Sequence, residues 1–256
     1  MWPIGFADPG IRQNRPAAGH FPTPCAFAGA RTAACRAANG SGVCGFTCGN
    51  HCFGVAGRSV FGQIAALVER MYGRHGYQTT SVTRPPESPD RIAFGGSHRG
   101  TLFATLTLGL DTGEGLLVDE LYGPEVDVFR GLKRKICELS TFAIDPQYSS
   151  HHVLASLFYL AYLYGRTLHK VTDAFIEVNP RHAGFYERVL HFRRIGEVRN
   201  CPRVDAPAVL LHLDLEHFEA QAAPFGETGR APERAIPTPA HAVPHDAKRS
   251  PALAHP

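Results

Sequence analysis

The chain has 256 residues, of which 44 % are hydrophobic, and its formal net charge is +3. This length predicts one domain with or without tails, and the small, evenly mixed charge argues against nucleic acid as a partner. The longest apolar stretch, residues 153–165, is too short to span a bilayer. The N-terminus also lacks the basic and apolar regions of a secretory signal. We therefore expect a cytoplasmic protein without a transmembrane segment.

Three parts of the chain differ in composition. Residues 1–57 are rich in Ala, Gly, Pro and Arg and show no sustained period of 2 or 3.6, so we expect them to be disordered or poorly ordered. Residues 219–256 form a tail rich in Pro and Ala that buries too little apolar surface to fold. The folded domain is therefore predicted over residues 58–218.

Hydrophobic spacing and turn residues predict the elements of this domain. The first is an amphipathic helix, and the longest is a helix that is apolar nearly all round and therefore buried. In chain order we predict a helix (59–74), a short strand (77–83), a hairpin (91–97 and 101–110), a loop with a short helix (116–135), a strand (135–145), a long helix (151–170), a strand (174–178), a helix (184–192) and two strands (194–200 and 208–214).

This order predicts an α/β (α+β) fold with a mixed, mostly antiparallel twisted sheet and helices on both faces. The strand over 135–145, the long helix and the strand over 174–178 form a βαβ unit with a right-handed crossover, so these two strands are parallel. A ligand crevice is expected where they splay apart at their carboxyl ends.

One carboxylate interrupts the apolar strand CELSTFAID. Alternation places Glu138, Ser140 and Phe142 on the same face of that strand. Burying a carboxylate is costly unless it is paired. Glu138 is therefore either a base that removes a proton from an amine or one half of a structural salt bridge.

The strand over 174–178 ends at Asn179 and Pro180. Pro180 cannot donate to a ladder and disfavours helical geometry at Asn179, so the strand stops there and separates from its neighbour. Asn179 either binds a ligand in the crevice or performs the turn chemistry common to Asn. Arg181 and His182 follow at the start of the next helix, where they either bind an anion or remain solvated.

Three cysteines, Cys44, Cys48 and Cys52, form a C-x3-C-x3-C pattern. This spacing differs from the paired knuckles of zinc sites, so we do not expect a metal. Seven cysteines without a secretory signal also do not indicate a disulfide framework.

The strings EVNPRHAGFYERVLHF and CELSTFAIDP resemble the FeeM-type long-chain N-acyl amino acid synthases of the GNAT acyltransferase superfamily. The second string is also similar to acyl-homoserine lactone synthases. The resemblance covers roughly residues 58–216. It implies a GNAT fold and the transfer of a long-chain fatty acyl group from acyl carrier protein to the α-amine of an amino acid.

The resemblance also implies roles for individual residues. Glu138 is the expected base, and Tyr186 is the acid that protonates the leaving thiol or, alternatively, a packed core tyrosine. Asp119 and Glu120 recognise the acceptor amine or else cap a helix and remain solvated. The predicted substrate-binding residues are Ser140, Phe142, Asn179, Arg181, His182, Asp119 and Glu120.

The turn DPQYSSHHV after the strand over 135–145 contains no glycine. Members of the superfamily that use coenzyme A usually carry a Gly-rich turn here, whose backbone N–H groups hold the pyrophosphate at a helix N-terminus. Without glycine such a close approach is harder. We therefore expect no bound cofactor and acyl-phosphopantetheine on acyl carrier protein as the donor, with acyl-CoA less favoured. Basic residues that could meet an acidic carrier protein are Lys133, Arg134, Lys135, Arg166 and Lys170.

Three other functions remain open at this point. The first is a CoA-dependent GNAT N-acetyltransferase, which the missing glycine turn disfavours. The second is an acyl-homoserine lactone synthase, in which an Arg usually stands where this chain has Thr141. The third is a non-catalytic module that binds an acyl group or a metal.

Overall fold

The structure of the protein is a computed structural model that describes residues 43–78 and 88–222. Arg58–Val60 and Pro146–Tyr148 form short 3-10 turns, and Leu163–Leu168 form a π-helical segment. The elements in chain order are β1 (Val43–Cys48), β2 (His51–Ala56), α1 (Phe61–Gly73), β3 (Arg91–His98), β4 (Thr101–Leu110), α2 (Asp119–Gly131), β5 (Ile136–Ile144), α3 (His151–Tyr162), β6 (Asp173–Val178), α4 (Pro180–Val189), β7 (Arg193–Arg194), β8 (Arg199–Cys201), β9 (Ala206–Asp214) and α5 (Leu215–Ala222).

The described strands form one sheet in the order β1-β2-β3-β4-β5-β6-β9-β7, and β8 pairs with β9 off this path. Among these strands, β5 and β6 are the parallel pair and the other pairings are antiparallel. The parallel ladder has three rungs, of which the last joins Glu138 to Phe175. Beyond this rung the two strands separate, so the predicted mixed sheet with a parallel splay is confirmed.

Helices cover both faces of the sheet, as predicted. The larger apolar cluster joins α3 and α4 to one face, with Leu157 and Ala183 both fully buried in it. On the other face α1 packs through Val68, and α2 packs through Val126 against Phe175 of β6. The splay between β5 and β6 therefore lies between two packed layers, one built on α3 and α4 and the other on α1 and α2.

A β-bulge changes the direction of side chains in β5. Between Ser140 and Ala143, β5 advances by three residues while β4 advances by two. The extra residue places Thr141 at a φ of +51°. Such a bulge shifts every following side chain to the opposite face.

The bulge overturns one prediction about the site. Phe142 belongs to the cluster under α3, where its ring centroid lies 5.8 Å from that of Phe158. It therefore does not share a face with Glu138 and Ser140, because the simple alternation used to place it fails at a bulge.

The start of the ordered chain also differs from the expectation. The prediction that residues 1–57 lack regular structure is wrong for residues 43–56, since β1 and β2 form a hairpin that pairs with β3. Phe53 anchors the hairpin: it is 1 % exposed, and its ring lies 6.0 Å from that of Phe103. Residues 1–42 lie outside the described part of the chain.

Smaller differences concern three predicted boundaries. Residues 79–83 of the strand predicted over 77–83 lie outside the described residues. The strand predicted over 194–200 is instead the two short strands β7 and β8. The helix α5 crosses the predicted boundary at residue 218 and ends at Ala222. None of the helices described here has the length and apolar character needed to cross a membrane.

Candidate active site at the splay

The end of β6 is fixed by the cap of α4. Asn179 is the N-cap, and its Oδ1 accepts a hydrogen bond of 3.2 Å from the backbone N–H of Arg181. Pro180 stands at the first helical position, where its missing N–H has no cost. The helix therefore begins at Pro180 and not at residue 184 as predicted, and the side-chain oxygen of Asn179 performs turn chemistry.

The carboxylate of Glu138 lies on the α2 side of β5 and is fully buried. Its Oε1 accepts a hydrogen bond of 2.7 Å from Arg91, and its Oε2 accepts one of 3.0 Å from the backbone N–H of Val118. Arg91 also lies 3.4 Å from the Oγ of Ser140. Both oxygens of Glu138 thus have a partner, and the cost of burying the charge is offset by an ion pair and a backbone donor.

A second buried carboxylate, Glu177, lies across the splay. It is the fifth residue of β6 and is 3 % exposed. Continuing the register of the parallel ladder places it level with Ser140, on the α2 side of the sheet. Its Oε2 forms an ion pair with Arg203. Glu177 is not among the residues predicted from the sequence, although the signal that marks Glu138, a carboxylate within an apolar strand, is also present in AFIEV.

Arg203 connects this buried carboxylate to the surface. Its guanidinium also pairs with Glu120 and donates a hydrogen bond of 2.9 Å to the carbonyl oxygen of Leu117. Glu120 is 46 % exposed, whereas Arg203 is 16 % exposed. One of the two acidic residues predicted before α2 therefore lies at the outer end of this ion-pair chain.

Asp119, the neighbouring acidic residue, has a structural position. Its Oδ2 accepts hydrogen bonds from the backbone N–H of Leu116 at 2.7 Å and from Arg130 at 2.8 Å. Arg130 also binds Asp111 and Asp127. Asp119 thus closes the turn before α2, and it is not the N-cap of that helix, which is Val118.

Tyr186 of α4 is fully buried beside the carboxyl end of β6. The edges of the Phe185 and Phe192 rings contact it, with centroids 5.4 and 6.2 Å away. Burial, together with the nearby Tyr72, raises the pKa of Tyr186 well above its ordinary value. Its hydroxyl is therefore protonated at neutral pH, and the same shift makes it a weaker acid than an exposed tyrosine.

An apolar cavity lies on the other face of the sheet, over the parallel ladder of β5 and β6, between α3, the C-terminal end of α4 and α5. Its volume is about 40 Å³. Cys137 and Ala174, which form one rung of the ladder, line the cavity, and Leu139, the first residue of β5 beyond the ladder, is the lining residue at the splay. The lining consists of Leu108, Cys137, Leu139, Phe158, Ala161, Tyr162, Gly165, Ala174, Leu190, Phe192, Leu213, Leu215 and Phe218.

The family model for the N-acyl amino acid synthase FeeM matches residues 63–214, which is more than half of the chain. The chain belongs to the FeeM N-acyl amino acid synthase family. The solved structure of FeeM, an N-acyl amino acid synthase from uncultured soil microbes, superposes with a TM-score of 0.62 at 27 % identity, covering 68 % of this chain and 96 % of that one. Comparison with functionally curated proteins gives no match.

An N-acetyltransferase from Staphylococcus aureus Mu50 is also similar, with a TM-score of 0.47 and 13 % identity over 65 % of this chain and 98 % of that one. Family membership and the likeness to FeeM establish a GNAT-type fold and an amide-forming N-acyltransferase. The resemblance inferred from the sequence is thus confirmed at the level of family and reaction class.

Two further predicted residues of this FeeM-family protein, Arg181 and His182, lie where α4 meets the end of α1. Arg181 donates a hydrogen bond of 2.7 Å to the Tyr77 hydroxyl and one of 3.1 Å to the Nε2 of His182. Burial, followed by the positive charges of Arg181 and His75, lowers the pKa of His182 to about 4. His182 is therefore neutral at pH 7 and accepts a hydrogen bond.

This pKa shift predicts a pH dependence of stability. The imidazole of His182 has an ordinary pKa of 6.5 and a folded-state pKa of about 4, so between these values the unfolded chain binds more protons. The free energy of unfolding should therefore fall as pH drops through this window. Urea unfolding at pH 7, 6 and 5 should show a smaller loss for His182→Gln than for wild type, whereas His169→Gln, which changes an exposed imidazole, should keep the wild-type slope. Equal slopes for wild type and His182→Gln would contradict the assignment.

The remaining sequence features do not join the site. Among the described residues no group of His, Cys, Asp and Glu is able to hold a metal ion. Cys48 is disulfide-bonded, although seven cysteines without a secretory signal do not by themselves indicate a disulfide framework. The side chain of Cys44 lies outside the described residues.

The turn between β5 and α3 is stabilised by side chains. Asp145 caps the 3-10 turn through a hydrogen bond of 3.1 Å from the backbone N–H of Gln147. Ser150 caps α3 by accepting one of 3.3 Å from the backbone N–H of Val153. The basic residues proposed to meet a carrier protein lie at the other ends of these strands, and two of them, Arg134 and Arg166, are ion-paired with acidic residues near α5.

Proposed function

We propose that this enzyme moves a long-chain fatty acyl group from the phosphopantetheine of acyl carrier protein to the α-amine of an amino acid. The observation that carries the proposal is the apolar cavity that lies along the parallel ladder and reaches the splay at Leu139. Family membership supports an N-acyl amino acid as the product, since the family model is that of an N-acyl amino acid synthase. The donor, the length of the acyl chain and the acceptor amine are the parts of this function that go beyond family membership.

The cavity supports a long acyl chain for a physical reason. Each methylene that leaves water for an apolar site contributes about 0.8 kcal/mol, so an apolar lining favours longer chains over acetyl. The cavity of about 40 Å³ would widen on the α3 side to take such a chain. The surface of the cavity is almost entirely apolar, and its hydroxyl-bearing residue, Tyr162, directs that hydroxyl to Glu219 at 2.5 Å. A polar acyl group would find few partners there.

The two faces of the splay suggest how donor and acceptor meet. The acyl chain would occupy the cavity on the α3 and α4 side, with its thioester at the point where the strands part. The polar groups Glu138, Ser140, Glu177 and Arg203 lie on the α2 side, where an amino acid would approach. Tyr186 lies beside the carboxyl end of β6 and supplies a protonated hydroxyl for the leaving thiolate.

The turn before α3 favours a carrier protein over free coenzyme A. Asp145 and Ser150 occupy the helix start with their own side chains, and no glycine allows a pyrophosphate to approach the backbone closely. A phosphopantetheine arm on acyl carrier protein carries no such adenosine pyrophosphate. Asn179, Arg181 and His182 surround the end of β6, where the amides of the arm would pass.

The test is product analysis by mass spectrometry. Purified protein is given palmitoyl-acyl carrier protein or acetyl-CoA with a mixture of amino acids. We expect a palmitoylated amino acid from the carrier protein and no acetylated product from acetyl-CoA. Acetylated amino acids formed from acetyl-CoA would replace the proposal with an ordinary acetyltransferase, and no product from either donor would point to a binding module.

The same assay tests Tyr186. In Tyr186→Phe we expect kcat to fall by roughly a hundredfold, because the thiolate then leaves without a positioned acid. The matched control is Tyr159→Phe, which removes a hydroxyl from α3 outside the cavity lining and should retain activity within about twofold. A Tyr186→Phe protein that folds normally and works at the wild-type rate would show that this tyrosine is a core residue.

A further inference from the structure

Glu177 carries a carboxylate oxygen that the fold does not use. The residue is 3 % exposed, and Oε2 is held by Arg203. Oε1 is buried and accepts no hydrogen bond from any described residue. Burying a carboxylate oxygen without a hydrogen-bond donor costs free energy. Because this oxygen lies beside the splay of an acyltransferase, a bound ligand is able to supply the missing donor.

The position of Glu177 fits a donor that reacts at the splay. It lies two residues beyond the last rung of the parallel ladder, which ends at Phe175. Its side chain extends to the α2 side of the sheet. Its neighbours Ile176 and Val178 face the other way, into the apolar cluster under α3 and α4. A group bound to Oε1 would therefore approach a thioester from the face opposite the acyl chain.

Arg203 places a positive group next to the negative one. It pairs with Glu177 and with Glu120 at once, and it is only 16 % exposed. A guanidinium binds carboxylates through paired N–H donors. An α-amino acid carries an ammonium and a carboxylate on adjacent atoms, so it matches a site that places Glu177 and Arg203 side by side.

We propose that Glu177 binds the α-ammonium of the amino acid and takes its proton, while Arg203 binds the α-carboxylate in exchange for Glu120. This assignment rests on the proposed function. It differs from the sequence-based expectation that Glu138 is the base, because both oxygens of Glu138 already accept hydrogen bonds from Arg91 and Val118. Glu138 then acts as a positioning residue that anchors β5 at the splay.

The proton and electron movements balance with no further reactant. An ammonium proton passes to Oε1 of Glu177 and from there to solvent, leaving a neutral amine. The amine nitrogen attacks the thioester carbon, forming the C–N bond, and the carbonyl electron pair moves to oxygen. Collapse of this oxyanion breaks the C–S bond. The thiolate takes a proton from Tyr186, which regains one from the nitrogen, so that amide and thiol are released.

The surroundings of Glu177 make its carboxylate a stronger base than an exposed one. Among the described residues, the titratable groups that face it are Arg203, Glu138, Tyr122 and Cys201. Burial, and to a smaller extent the negative charge of Glu138, raise the pKa of Glu177 above its ordinary 4.5, while Arg203 opposes the shift. A base is more effective when its pKa approaches the working pH.

The test compares Glu177→Gln with wild type on two amines in the palmitoyl-acyl carrier protein assay. With an amino acid at pH 7, kcat should fall by roughly a hundredfold or more, because the ammonium proton has no acceptor. With hydroxylamine, which is already neutral at this pH, the variant should retain activity within about threefold. Glu125→Gln is the matched control. It removes a carboxylate of α2 that pairs with Arg199 outside the site, and it should leave both activities unchanged.

Arg203→Met tests the carboxylate half of the assignment. The KM for the amino acid should rise at least tenfold, while the KM for the corresponding decarboxylated amine should stay the same. A Glu177→Gln protein with wild-type activity on amino acids, or an Arg203→Met protein that weakens both amines equally, would overturn the proposal. If Glu138→Gln abolishes proton transfer while Glu177→Gln does not, Glu138 is the base.

Two checks keep the outcome interpretable. If Glu177→Gln does not fold, the wild-type pH profile of kcat/KM decides: a loss of activity on the acid side, centred above pH 4.5, supports the proposal, and a flat profile down to pH 4.5 overturns it. If wild type makes no N-acyl amino acid, the proposed function itself fails. If wild type makes the product and Glu177→Gln makes it equally well, only the present assignment fails.

Discussion

Replacing Asp173 by Asn is expected to lower the free energy of unfolding by about 3 kcal/mol. The carboxylate of Asp173 is 1 % exposed. It accepts hydrogen bonds from Nε2 of His212 at 2.7 Å, from Nε of Arg134 at 2.6 Å and from the Thr172 hydroxyl at 2.6 Å. Burial opposes ionisation, but these donors hold the pKa of Asp173 below its ordinary value. An amide in its place turns an acceptor into a donor that faces other donors.

The expected loss is large because of where Asp173 lies. It pairs with Ile136 at the first of the three rungs that join β5 to β6, so the substitution weakens the ladder on which the splay depends. Urea unfolding measures the effect. The control is Asp127→Asn, whose side chain is 66 % exposed beside Arg130 and should cost less than about 0.5 kcal/mol. A loss below about 1 kcal/mol for Asp173→Asn would show that this network is not a structural anchor.

Replacing Gly165 by Leu is expected to change the preferred acyl chain from long to short. Gly165 lies in the π-helical continuation of α3 and lines the cavity. A Cβ there would meet Leu108 and Val171 at 3.8 Å, which is ordinary contact. The first atom of the new side chain therefore fits, and the remaining atoms occupy space that the acyl chain would use.

The expected loss of kcat/KM follows from the acyl-chain surface that the variant no longer buries. If four methylenes are displaced, the loss at about 0.8 kcal/mol each is about 3 kcal/mol, on the order of a hundredfold in kcat/KM. This loss should appear with palmitoyl-acyl carrier protein and be absent with octanoyl-acyl carrier protein. Gly62→Leu, a helical glycine of α1 with open space around it, is the matched control. A Gly165→Leu enzyme that still prefers palmitoyl would place the acyl chain elsewhere.

The part of the fold that sequence patterns predict well is the part with local, uninterrupted periodicity. The hairpin of β3 and β4 has a strong turn, with Arg99 and Gly100 both at positive φ, and α1 buries the apolar positions that its helical spacing indicates. The βαβ unit was predictable because Pro146 and Pro180 mark where β5 and β6 end. Each of these signals acts within a few residues.

Features that depend on distant partners were not predictable. The β1–β2 hairpin is short and rich in Gly and Cys, so its strand character comes from pairing with β3, more than 35 residues away in sequence at its closest rung. The bulge at Thr141 depends on the register between β4 and β5, and it moves Phe142 to the other face. No pattern within CELSTFAID indicates that extra residue.

The residues of the candidate site divide in the same way, into those marked by a local string and those that depend on distant partners. Asn179, Arg181, His182 and Tyr186 were found because they follow one another in a specific string, and the structure places them at one end of β6. Glu177 is the first residue of the same string, but the resemblance assigns it no role. Its unpaired oxygen and its partner Arg203, 26 residues later, become apparent only when the turn between β8 and β9 folds over β6.

The N-terminal hairpin has a consequence for the solution behaviour of the molecule. The match to the family model begins at residue 63, so a chain trimmed to that boundary would lack β1 and β2. The eight-residue strand β3, which is largely buried, would then expose a full row of unpaired N–H and C=O groups. Long apolar edges of this kind recruit strands from other molecules. Residues 43–56 thus cover the edge of β3, and we expect that a chain without them would aggregate through this edge.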